Sequence, residues 1–166
     1  MLTGREEMER LRAGVGVPSG PAPGLVEELI VGADSPDVVV ERARAVLAAV
    51  IEGGEDGLSP GDSEWAQRLP GWFVGACSAP QTADERERWL ARWRTLDRAG
   101  KAQAEAELGW MLEDWLAAVD SHTRPWRWWA FDGRRVLALV DGWPASLEAL
   151  VWLLQAAGAD SVELSN

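Results

Sequence analysis

An Asp-Gly pair between two apolar runs is the feature that most constrains what this chain can fold into. Trp126–Phe131 and Arg134–Val140 are rich in aromatic and aliphatic residues, and Asp132-Gly133 separates them. Such a dipeptide favours a two-residue type I′ turn, whose central residues both take positive φ. The spacing predicts a β-hairpin in which Phe131 opposes Arg134, Trp129 opposes Val136 and Trp128 opposes Leu137. One face then carries Trp126, Trp128, Ala130, Arg135, Leu137 and Leu139. The other carries Arg127, Trp129, Phe131, Arg134, Val136 and Ala138, because side chains alternate along a strand.

The segment after the hairpin restricts the topology further. Asp141-Gly142 ends the second strand, and Leu147, Leu150, Val151 and Leu154 then recur at helical spacing. Ser161–Leu164 reads as a short closing strand. A strand–helix–strand unit of this length predicts a right-handed crossover, with the last strand parallel to 134–140. The expected fold class is therefore α+β, mainly helical, with a C-terminal hairpin–helix–strand unit forming a small mixed sheet packed by helices.

The helices come from upstream. Ser35-Pro36 opens one, with Val39, Ala43, Val46, Leu47 and Val50 on its apolar side and Gly53-Gly54 as its stop. Thr82 and Glu85 form a capping box before a second helix that carries Trp89, Trp93 and Leu96 on one stripe. Leu108, Leu112, Trp115, Leu116 and Val119 mark a third, so 82–99 and 101–120 read as a helical hairpin. Leu25–Val31 reads as a turn or two of helix. Before it, the Gly- and Pro-rich stretch 14–24 makes residues 1–24 a flexible arm outside the core, leaving 25–166 as a single domain.

Composition narrows function more than it assigns it. The 166 residues hold 16 Lys and Arg against 27 Asp and Glu, a net charge of −11. That balance argues against nucleic acid and anionic membrane surfaces as partners, and for a basic protein. One cysteine, Cys77, cannot pair within the chain, which with the absence of a secretory pattern suggests the cytoplasm. The Ala, Gly and Arg bias reflects a GC-rich genome.

No catalytic motif, cofactor fingerprint or metal-ligand spacing stands out, so neither a cofactor nor a metal is expected. His122, the only histidine, lies beside Asp120 near a helix end, where His is ordinary. Glu113, Asp114 and Asp120 read as a solvated acidic face, and Cys77 as a small buried hydrophobe.

The 11 tryptophans carry the remaining signal. Trp89, Trp93, Trp115, Trp128 and Trp152 fall on apolar stripes and read as core. Trp129 and Phe131, framed by Arg127 and Arg134, have the composition of interface anchors. This face is the candidate site of an immunity-, adaptor- or chaperone-like interaction protein without enzymatic activity. The alternative is a small-molecule-binding domain or enzyme with a Trp-lined pocket that uses His122, Trp126 and Trp143.

Overall fold

Thr3 opens the first helix, α1 (Gly4–Arg12), through a capping box: its hydroxyl accepts from the Glu6 amide, and Glu6 accepts from the Thr3 amide at 2.8 Å. The computed structural model describes residues 2–165. Strand β1 (Leu25–Gly32) comes next, then α2 (Pro36–Glu55) and two short helices, α3 (Trp65–Arg68) and α4 (Gly71–Ala76). A helical hairpin succeeds them, α5 (Ala83–Thr95) and α6 (Arg98–Leu108), and then α7 (Leu112–Ala118). The chain continues through β2 (Trp126–Phe131), β3 (Arg135–Val140), α8 (Glu148–Ala156) and β4 (Ser161–Leu164). This is an α+β fold, mainly helical, and no described helix is long and apolar enough to cross a membrane.

The sheet order is β2-β3-β1-β4, and every neighbouring pair is antiparallel. β4 does run in the same direction as β3, but β1 lies between them, so the sheet is not mixed. Leu25–Val31 belongs to this intervening strand and is not a helical turn. Its side chains alternate, with Glu27, Leu29 and Val31 buried on one face. The ladder on both of its sides decides its conformation, and local sequence shows neither neighbour.

The hairpin is present but its register differs. Asp132 and Arg135 flank the turn, with the Asp132 carboxylate accepting from the Arg134 and Arg135 amides at 3.0 and 2.7 Å. Phe131 pairs with Val136, and the ladder shifts by one residue between Trp128 and Ala130. The bulge at Trp129 puts Trp129 and Ala130 on one face and sends Phe131 to the other. Trp126, Trp128, Phe131, Val136 and Ala138 thus join α2, α7 and α8 in the main core. Trp129, Ala130, Leu137 and Leu139 form a smaller cluster on the opposite face.

The N-terminal segment is part of this packing. Met8 and Leu11 are buried in the main core, while Leu2 and Ala22 cover the smaller cluster. Glu7 is fully buried at the β2 edge, where it accepts from the Trp128 amide at 2.6 Å and pairs with Arg124. Gly16 donates to the Phe131 carbonyl at 2.7 Å. The chain expected as an arm therefore seals the open edge of the sheet, with unpaired strand amides and carbonyls as the reason an edge needs sealing.

Helix ends also differ from expectation. α2 runs past Gly53-Gly54 to Glu55 and stops where Gly57 adopts φ +85°. There Leu58 donates to Gly53 and Gly57 to Gly54, a Schellman closure. Gly53 serves packing instead, since a Cβ on it would meet the Trp65 ring at 2.3 Å. Gly109, at φ +67°, divides the expected 101–120 helix into α6 and α7.

Candidate functional site

The hairpin face expected to bind a partner is not a surface. Trp129 is 6% exposed and Phe131 1%, and they point to opposite sides of the sheet. Arg10 of α1 stacks over the Trp129 ring at 4.3 Å. Arg127 is buried as well, donating from Nη1 to the carbonyls of Arg124 and Trp126 at 2.9 and 2.8 Å and from Nη2 to Ser121. Of the four residues only Arg134 is exposed. Arg127 belongs to a buried charge cluster with Arg124 and Glu7, in which burial pushes Arg124 below its usual pKa and Glu7 opposes the shift.

His122, Trp126 and Trp143 do not converge either. Trp126 lies in the core beneath the Arg124 guanidinium, and Trp143 is 71% exposed. The His122 ring is exposed beside a shallow depression lined by Val50, Leu58, Trp65 and Leu116. Its Nδ1 lies 3.0 Å from Asp120 Oδ1, which also accepts the His122 amide at 2.9 Å. Burial would raise Asp120, but these bonds outweigh it and hold the carboxyl below its usual range. The pair closes the turn after α7. Burial also pushes Cys77 up to about 11, which leaves it a poor thiolate at neutral pH. Among the described residues no three of His, Cys, Asp and Glu gather as a metal site.

A larger concavity lies elsewhere. A groove of about 1140 Å³ runs between α6, the turn after it, the segment before α8, and α8 itself, reaching Leu164 at the end of β4. Its build comes from the backbone. Gly109 reverses the chain after α6, and Ser78 pins the reversal by donating its amide to Trp110 O at 2.8 Å and its hydroxyl to Leu108 O. Pro144–Leu147 form the opposite lip. Trp152 on α8 packs against Phe73 and Trp115, with centroids 5.7 and 6.4 Å away, and also lines the groove.

The lining is mostly apolar: Trp110, Met111, Leu147, Val151, Trp152 and Leu164. Its charged members are Glu105, Asp114 and Glu148, with no cation among them. Neither Asp114 nor Glu148 has an ion-pair partner among the described residues. Sequence patterning missed this site, since its walls are drawn from stretches far apart in the chain.

Beside the groove, α5 and α6 pack chiefly on each other. Trp89 and Trp93 stack with centroids 6.3 Å apart, and Lys101 sits 4.4 Å from the Trp93 ring centre. Trp93 Nε1 donates to Glu105 at 2.9 Å. Both tryptophans are only half-buried and lie outside the two cores, unlike Trp115, Trp128 and Trp152, which pack in or against the main one.

No family model, curated protein or solved structure matches the chain.

Proposed function

We propose that this chain is a protein-interaction module whose groove docks a basic amphipathic segment of a partner. The observation that carries the reading is one apolar groove bearing three carboxylates and no cation. Its hydrophobic floor suits an apolar stripe at i, i+3, i+4 and i+7. Glu105, Asp114 and Glu148 would meet the flanking Lys or Arg, which speeds encounter and fixes orientation. A volume of about 1140 Å³ exceeds the several hundred Å³ common for small-ligand sites and is closer to a few turns of helix.

The test is titration with a synthetic Leu/Lys amphipathic helix and a Leu/Glu counterpart, read by tryptophan fluorescence and calorimetry. Saturable one-to-one binding of the basic peptide alone is the expected result. Asp114→Lys with Glu148→Lys should weaken it by at least about tenfold, because like charges then face each other. Equal binding of both peptides, or of neither, overturns the proposal.

A further inference from the structure

The groove asks for a basic, amphipathic helical segment, and one such segment is present in the chain itself. Residues 88–101 span the second half of α5, the Leu96-Asp97 turn and the start of α6. They hold Arg88, Arg92, Arg94, Arg98 and Lys101 against a single acid, Asp97, while Asp84, Glu85 and Glu87 lie in the first half of α5. Asp97 is already committed to capping α6, accepting from the Gly100 amide at 2.8 Å. This stretch is thus strongly positive within a chain of net charge −11. None of its four arginines has a carboxylate partner among the described residues.

Helix geometry sorts these groups into two stripes. Arg88 and Arg92 are four apart and share one line along α5, while Trp89 and Trp93 form the neighbouring line. α5 has no buried residue along its 13 positions, roughly 20 Å of helix. A helix of that length with no buried residue, two half-exposed tryptophans and unpaired arginines has the character of a ligand awaiting a site.

Its own groove is out of reach. Only Leu96-Asp97 joins α5 to α6, and Trp93 is held on α6 by Lys101 and by Glu105 at the groove rim. No α5 residue lines the groove, so α5 lies beside it and not in it. A second copy has no such restriction. Resting on the proposed role of the groove, we infer that two copies pair reciprocally, the α5 ridge of each seated in the groove of the other. Arg88 and Arg92 would then face Asp114 and Glu148, and Trp89 would add apolar contact on the groove floor. The exchange is two-fold and closes on itself, so it yields a dimer and not a chain of copies.

The experiment is light scattering and sedimentation of the intact protein over a range of concentrations, at low salt and near 1 M, where the screening length falls to about 3 Å. A dimer at low salt that dissociates in high salt is expected. R88E/R92E and D114K/E148K should each be monomeric at concentrations where the wild type is dimeric, with unchanged circular dichroism. An equimolar mixture of the two variants should dimerise again, because one exchanged contact is then wild type and the other is restored with its signs reversed. A wild type that stays monomeric at every concentration and salt overturns the pairing. So does a dimer that both variants preserve, or a mixture that fails to recover. If the wild type stays monomeric yet binds the Leu/Lys helix, the groove reading stands and only the self-pairing fails. If it binds neither, both fail.

Discussion

Trp115 and Trp89 stand on helices with similar apolar spacing, yet they have opposite fates. Trp115 is wholly buried, lies 4.6 Å from Phe73 by ring centroids, and donates Nε1 to the Ala149 carbonyl at 3.0 Å. Trp89 is half-exposed, with Trp93 as its stacking partner on a helix that buries nothing. The main body and the α5–α6 hairpin thus use one residue type for different ends. Periodicity shows that a helix has an apolar stripe. Whether that stripe meets a sheet, a sister helix or another molecule depends on residues far away.

The contrast can be broken by substitution. Trp115→Ala should cost about 3–5 kcal/mol in urea unfolding, through lost burial and an unpaired carbonyl. Trp89→Ala should cost under about 1 kcal/mol, as expected for a half-exposed side chain. Similar costs at the two sites would end the distinction.

Glu7→Ala tests whether the N-terminal helix belongs to the body. It leaves Arg124 buried without its carboxylate and the Trp128 amide without its acceptor. About 3–5 kcal/mol should be lost, with faster hydrogen exchange at Trp128. A neutral result would return α1 to the status of an appendage.

Trp129→Ala should cost about 3 kcal/mol, near the low end for tryptophan, because its cluster is the smaller one. A change near zero would show that the face under Arg10 and Leu2 is open in solution.

A small, pH-dependent effect belongs to the turn. Burial would raise Asp132, but the amides of Arg135 and Arg134 and the Arg135 side chain outweigh it and hold the carboxyl below its ordinary 3.8. A lowered value in the folded state means the bond stabilises fully above about pH 4 and is lost as pH falls through the folded value. Asp132→Ala should therefore cost about 1 kcal/mol at pH 7, with the gap to wild type closing in acid. A gap independent of pH would refute that account.

Local chemistry made much of the fold legible. Ser35-Pro36 starts α2, although the Ser35 side chain makes no capping bond, and Thr82 with Glu85 caps α5 as expected. The existence of the hairpin and the apolar side of α8 are equally readable, although the turn centres on Gly133-Arg134, one residue later than a type I′ Asp-Gly turn requires. Three features are not. Leu25–Gly32 is a strand because two others flank it, and its two consecutive acids, Glu27 and Glu28, blur the alternation. The bulge at Trp129 comes from how the two faces fill, and no residue type marks it. The groove joins residues from Ala102 to Leu164, so no short window contains it. A net charge is also a sum over the whole surface, so it hides both the acidic groove and the basic stretch beside it.

The central position of β1 has a consequence for how the molecule is made. Leu25–Gly32 emerges early, yet its partners Arg135–Val140 and Ser161–Leu164 come after about a hundred further residues. During synthesis its backbone groups and its apolar residues wait on both sides for strands not yet translated. Helices α2 to α7 can form in that interval, but the sheet they pack on cannot. The middle strand therefore stays unpartnered until Arg135–Val140 and Ser161–Leu164 have been made, and the sheet closes only on their arrival.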